Sequence, residues 1–132
     1  MAKILIVDDE QDVLDFCKVA LQNKNHTILE AGNGILALEK LKGEKPDLLI
    51  LDVMLPKMDG YTIQLEMSQD QNLSHIPVIV ITALKPALEL FSKFDQVSTF
   101  LTKPFHAEDL MDAVDLALKD KRFEDKKYKP YE

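Results

Sequence analysis

Asp47-Leu-Leu-Ile-Leu-Asp52-Val-Met-Leu-Pro56-Lys-Met-Asp59-Gly60 decides how the rest of the chain is read. Four consecutive apolar residues, Leu48 to Leu51, are too many for a strand with one wet face, so they predict a strand covered on both faces, as in a parallel sheet. Asp52 follows at once, which places a carboxylate at the end of a stiff, dry element. Working outward, short β-branched or leucine-rich runs alternate with longer stretches of helical period, and the alternation occurs five times. The predicted strands are Lys3 to Val7, His26 to Ala31, Leu48 to Leu51, Val78 to Ile81 and Thr99 to Thr102. Between and after them, helices are predicted over Asp12 to Asn23, Gly34 to Lys42, Tyr61 to Asp70, Pro86 to Lys93 and Ala107 to Asp120. In the first helix Val13, Phe16, Cys17, Ala20 and Leu21 form the stripe expected to be buried. Five βα units joined by right-handed crossovers imply an open, doubly wound α/β sheet with helices on both sides.

Such sheets bind ligands beyond the C-terminal ends of their strands. The polar residues fall there: Asp8 and Asp9 after the first strand, Asp52 after the third, Thr82 after the fourth and Lys103 after the fifth. Three carboxylates in one pocket repel one another by roughly 3 kcal/mol per pair at about 5 Å and an effective dielectric near 20. A hard dication offsets that. Mg²⁺ favours oxygen ligands and commonly bridges one or two carboxylates to a phosphate, so Asp8 or Asp9 with Asp52 makes a half-site. Asp52 is the nucleophile candidate, because an aspartate can attack phosphorus to give an acyl phosphate without a general base. Lys103 would pair with the new phosphate, and the Thr82 hydroxyl would donate to another of its oxygens.

Ile4-Leu-Ile-Val-Asp8-Asp9-Glu10, the Asp47 to Gly60 stretch, Val78-Ile-Val-Ile-Thr82-Ala83 and Phe100-Leu-Thr-Lys103-Pro104-Phe105 together resemble the receiver-domain signature of two-component response regulators. The resemblance spans residues 1–121 and leaves 122–132 as a flexible tail or truncated linker. It implies a flavodoxin-like (βα)5 fold of strand order 2-1-3-4-5 and a cis bond between Lys103 and Pro104. Carried over residue by residue, it implies a metal site of Asp8, Asp9, Asp52 and the Met54 backbone carbonyl, holding Mg²⁺ or Mn²⁺. Asp52 becomes the phosphoacceptor, Lys103 the phosphate-binding lysine, and Thr82 with Phe100 the switch pair. The implied donor is a sensor histidine kinase or phosphotransfer protein. The implied output is an effector domain or downstream protein docked on the fourth helix, fifth strand and fifth helix, with a phosphorylation-dependent homodimer as a further expectation. On this reading the chain is a phosphoacceptor signalling domain and not an enzyme, beyond Mg²⁺-dependent self-phosphorylation from small donors and slow autodephosphorylation.

A receiver-like interaction module that is never phosphorylated is the rival reading. A haloacid-dehalogenase-like phosphohydrolase also uses a nucleophilic aspartate and Mg²⁺, but needs a second aspartate where Met54 stands. The stretch Phe94 to Thr99 departs from the receiver pattern, since it lacks the usual Gly-Ala turn, and this makes the fourth helix the weakest assignment.

Composition sets the outer bounds. A chain of 132 residues with 46% apolar content suffices for one core. The net charge of −7 argues against direct nucleic-acid binding, which relies on Lys and Arg neutralising phosphates. With Cys17 as the single cysteine there is no intramolecular disulfide, as suits the cytoplasm, and no apolar run is long enough for a membrane span. His26, His75 and His106 lack metal-pair spacing and are read as surface or capping residues.

Overall fold

In the computed structural model, which describes residues 2–120, the strands are β1 (Lys3–Val7), β2 (Thr27–Ala31), β3 (Leu48–Asp52), β4 (Val78–Thr82) and β5 (Val97–Thr102). The helices are α1 (Gln11–Gln22), α2 (Gly34–Glu44), α3 (Gly60–Gln69) and α4 (Ala107–Lys119), with a 3-10 helix over Lys85–Leu90 between β4 and β5. The expected tail at 122–132, and the receiver boundary at Lys121, lie outside the described residues.

All strand pairs are parallel, in the order β2-β1-β3-β4-β5 that the resemblance implied. The period of two along each strand sorts the core into two layers. Ile4, Ile6, Leu48, Ile50, Ile79 and Ile81 pack with Leu14, Cys17, Leu21, Leu110 and Val114 of α1 and α4. Leu5, Val7, Leu49, Leu51, Val78 and Val80 pack with Ala37, Leu41, Ile63 and Met67 of α2 and α3. Each fully buried Leu or Ile contributes about 1.5–3 kcal/mol relative to exposure, so β1, β3 and β4, buried almost throughout, hold the sheet together.

The first helix needs one correction. Its buried residues are Leu14, Cys17, Ala20 and Leu21, whereas Phe16 is exposed and stacks edge-on against Phe105 at 6.0 Å between ring centroids. The buried face is turned toward Leu14, which the stripe omits, and away from Phe16.

The larger correction concerns the predicted fourth helix over Pro86 to Lys93. The crossover closes through i→i+3 bonds, from Ala87 N–H to Leu84 C=O, Phe91 to Leu88 and Phe94 to Phe91. No residue of the 3-10 helix itself is buried. The segment is anchored by Phe91, which is fully buried and meets Tyr61 edge-on at 5.9 Å. With Phe91 its one fully buried residue and Ala87 and Leu88 only partly covered, little rewards a full α-helix over the tighter 3-10 form.

Gln96 explains how the turn before β5 manages without glycine. Its buried amide donates to the Leu73 and Ile76 carbonyls at 2.9 and 2.7 Å and accepts from Gln64 Nε2 at 2.8 Å. That network ties the β4–β5 crossover to α3 and to the loop entering β4.

Candidate functional site

The C-terminal strand edge brings together most of the residues named from the sequence. Asp8 leaves β1 fully buried, and Asp52 ends β3 with 3% of its surface exposed. Asp52 is in phase with Leu48 and Ile50, so it faces the α1 and α4 layer. Lys103, just beyond β5, reaches across the pocket: its Nζ lies 2.8 Å from Asp8 Oδ2, 3.1 Å from Glu10 Oε1 and 3.3 Å from Asp52 Oδ2. The bond before it is tied to β4 by Lys103 N–H donating to the Thr82 carbonyl at 2.9 Å, and the Lys103–Pro104 bond is cis.

Glu10 is the residue that sequence reasoning left without a role. It stands inside the Asp8-Asp9-Glu10 run, but only the fold reveals that Lys103, 93 positions away, comes to its carboxylate. Asp9, by contrast, is exposed at the rim. Oxygens of Asp8, Asp9 and Glu10 fall within 4.8 Å of one another.

The buried oxygen Asp8 Oδ2 tests whether these residues suit a metal. It pairs with the Lys103 ammonium at 2.8 Å, while Asp8 Oδ1 accepts from Glu10 N–H at 2.9 Å. A dication would take that oxygen over from Lys103 and add the exposed Asp9 carboxylate, an all-oxygen donor set that fits Mg²⁺ or Mn²⁺.

Burial, and then the Asp8 charge, push the Asp52 carboxyl from its ordinary 3.8 up to about 6, against the pull of Lys103 and of the Met54 N–H. Burial works to lower the Lys103 ammonium, but hydrogen bonds to Asp8 and Glu10 and the charges of Asp52 and Asp8 outweigh it and raise its pKa. In the metal-free protein an ionised Asp52 is therefore net unfavourable even with Lys103 beside it. Asp52→Asn, melted in EDTA, is expected to be more stable than wild type by about 1–3 kcal/mol near neutral pH. Folded Asp52 holds its proton more tightly than unfolded aspartate, so wild-type stability rises as pH falls through about 6 toward 3.8, and the gap to the variant closes there. Equal melting temperatures at neutral pH would show that Asp52 is not strained by its surroundings.

Thr82 is fully buried, and its Oγ1 accepts from Leu84 N–H at 3.0 Å, leaving the hydroxyl proton free to rotate. It is in phase with Val78 and Val80, on the layer against which half-buried Phe100 also packs. Asp52 and the Thr82–Phe100 pair thus belong to opposite faces of the sheet and meet only at its edge. Met54 follows Asp52 with an exposed side chain, and its N–H donates to Asp52 Oδ1 at 3.4 Å.

The loop after Met54 is tightly shaped. Lys57 has φ +71°, and Met58 N–H donates to the Pro56 carbonyl at 2.8 Å, closing a three-residue γ-turn. Gly34 at the start of α2 and Gly60 at the start of α3 let this loop lie flat. A Cβ on Gly34 would come 2.0 Å from the Met58 carbonyl oxygen, and one on Gly60 would come 2.7 Å from the Asp52 carbonyl oxygen.

The residues set aside earlier are where the sequence put them. His26 Nδ1 accepts from Ala2 N–H at 3.2 Å, and His106 N–H is capped by Asp109 Oδ2 at 3.1 Å. Cys17 is a buried core residue whose thiol is pushed up to about 12, chiefly by burial, so it is inert.

Residues 4–115 match the response regulator receiver domain. The chain belongs to that family. It is 34% identical over 112 residues to the DNA-binding dual master transcriptional regulator RpaA of Synechocystis sp., covering 84% of this chain and 46% of RpaA. It thus spans about half the length of that relative. It is also 30% identical over 119 residues to protein PilH of Pseudomonas aeruginosa, covering 89% of this chain and 98% of PilH. Among solved structures, the chemotaxis response regulator CheY4 of Vibrio cholerae superposes with a TM-score of 0.82 at 27% identity, covering 89% of this chain and 99% of that one. Receiver domains are signalling domains of two-component systems, in which phosphorylation by a histidine kinase is the general event. Among the described residues, no helix of this receiver is long and apolar enough to cross a membrane.

Proposed function

We propose that this receiver accepts a phosphoryl group on Asp52 from the phosphohistidine of a sensor kinase or phosphotransfer protein, with Mg²⁺ or Mn²⁺ bound, and signals through Thr82 and Phe100. The observation that carries the reading is the single ammonium of Lys103 within 3.3 Å of both Asp8 and Asp52, two carboxylates that are almost wholly buried. An ammonium so placed between two acids is ready to follow negative charge when it arrives on either one.

In the proposed reaction an Asp52 oxygen attacks phosphorus, the donor's P–N bond breaks, the imidazole, already protonated on its other ring nitrogen, leaves as the neutral ring, and an acyl phosphate forms. Asp8, Asp9, Asp52 and the Met54 carbonyl would hold the dication, which supplies charge neutralisation for the transferring group. Lys103 would exchange a carboxylate partner for a phosphate oxygen. The acyl phosphate carries about two negative charges where ionised Asp52 carried one, and its oxygens draw the free Thr82 hydroxyl proton toward them. Movement of Thr82 then opens room on the face where Phe100 packs, turning a charge event into a packing change. The output surface so altered is β5 with α4 and the 3-10 crossover, which replaces the expected fourth helix. An effector domain or downstream protein would dock there.

Incubation with a small phosphodonor and Mg²⁺, followed by intact mass, tests the reaction. Wild type is expected to gain one phosphoryl group and Asp52→Asn none. An equal gain in both would move the acceptor elsewhere, and no gain in folded wild type would favour the unphosphorylated interaction module.

A further inference from the structure

Glu10 precedes the first turn of α1 and is mostly exposed, with 63% of its side chain accessible, yet it touches the buried site twice. Its backbone N–H donates to Asp8 Oδ1 at 2.9 Å, and its side-chain Oε1 lies 3.1 Å from Lys103 Nζ. The lysine is shared three ways, and Glu10 is the one partner that stands on the solvent side. Asp8 and Asp52 are buried behind it.

We propose that Glu10 is a positioning and specificity-determining residue, which restrains Lys103 at the pocket mouth and makes phosphoryl acceptance depend on the charge of the donor. The inference rests on reading Asp52 as the phosphoacceptor. A donor must bring its phosphate past Glu10 to reach Asp52, and Lys103 must loosen from Glu10 to receive it. Both steps disfavour a bare, strongly anionic donor. A phosphoimidazole flanked by basic side chains offsets both, since its own cations can pair with Glu10 and release Lys103. Glu10 thus favours a protein phosphodonor with positive charge beside the phosphohistidine over a free acyl phosphate.

The size of the effect follows from Coulomb's law. A unit charge about 6 Å from an incoming phosphate, in water-like surroundings, changes the rate by about threefold for each unit of donor charge. Salt screens it, because the Debye length is about 20 Å at roughly 20 mM salt and falls below 6 Å at roughly 300 mM.

The test compares two small donors, acetyl phosphate and phosphoramidate, the first carrying about one more negative charge near neutral pH. Rates of phosphoryl gain with Mg²⁺ are followed by intact mass for wild type, Glu10→Gln and Glu10→Lys, at low and high salt. Glu10→Gln keeps the main-chain bond to Asp8 and the side-chain size. It is expected to raise the acetyl phosphate rate, relative to phosphoramidate, by about threefold at low salt, with Glu10→Lys raising it further and high salt removing both gains. A residue that only supports the fold would change both donors by one common factor, so an unchanged ratio in both variants overturns the proposal. If folded wild type accepts from neither donor, the acceptor reading fails first and this inference falls with it.

Discussion

Lys103→Ala is expected to lower the stability of the metal-free protein by about 2–4 kcal/mol near neutral pH, the cost of leaving buried carboxylates without their counter-charge. That is on the order of an 8–15 °C fall in melting temperature for a domain of this size. The geometry sets the scale: the one ammonium compensates Asp8, Glu10 and Asp52 together, and Asp8 and Asp52 are almost wholly buried. Lys103 also opposes the upward push on Asp52, so its loss raises the Asp52 carboxyl beyond its present value of about 6. Protonation of Asp52 then relieves the repulsion, and the deficit should shrink as pH is lowered toward 5. Sign and window agree: a raised folded pKa costs stability in full above it, and the cost fades as pH falls toward the unfolded value of 3.8; below about 6 Asp52 is protonated in both proteins and this part of their difference is gone. Added Mg²⁺ should recover more stability in the variant than in wild type, because it replaces a missing charge. Thermal melts with EDTA and with Mg²⁺ at two pH values check this; a change under about 2 °C in EDTA at neutral pH would mean that water already screens these acids.

Gly34→Ala carries the second large effect, and its sign is opposed to helix propensity. Alanine inside a helix is worth up to about 1 kcal/mol over glycine. Here the new Cβ would stand 2.0 Å from the Met58 carbonyl oxygen and 2.6 Å from its Cβ, so backbone must move. A forced shift of this kind costs about 2–4 kcal/mol, which outweighs the propensity gain. The loop that moves is the one leading from Asp52 and Met54 through the γ-turn at Lys57. Mg²⁺ affinity and phosphoryl acceptance should therefore fall along with stability. Gly43→Ala serves as the control, for it lies in the same helix with nothing within 4 Å of its new Cβ. It is expected to be neutral or stabilising, and if both glycine variants behave alike the contact with Met58 is not what constrains Gly34.

Much of this protein was legible because its signals are local. A run such as Leu48 to Leu51, met between helical stretches, suits a strand of a covered parallel sheet, and β3 is buried throughout. The polar residue that ends each such run must lie at the strand edge, which is why Asp8, Asp52, Thr82 and Lys103 were found from position alone. Where several weak local rewards had to be summed, the reading was less secure. The Pro86 to Lys93 segment has helical spacing, but its outcome depended on how many of its apolar residues a neighbour would cover. Phe91 is fully covered and Ala87 and Leu88 only in part, and a 3-10 helix resulted. Phe16 lies outside the buried face and Leu14 inside it because spacing gives the direction of that face only coarsely, and packing against the sheet sets it.

The sequence by itself determined the class of fold, the order of the elements and the strand ends at which the polar side chains gather, because hydrophobic period and abrupt polarity act over a few residues. Tertiary structure alone decided the contacts between residues far apart in the chain. It brought Lys103 to Glu10 as well as to the two aspartates, joined Gln64 to Gln96 in place of a glycine turn, and pressed the Met58 carbonyl onto Gly34. Each of these is a distance of a few ångströms between separate elements. Coulomb and packing energies at that range depend on where the whole sheet sets the partners, and no local pattern carries that information.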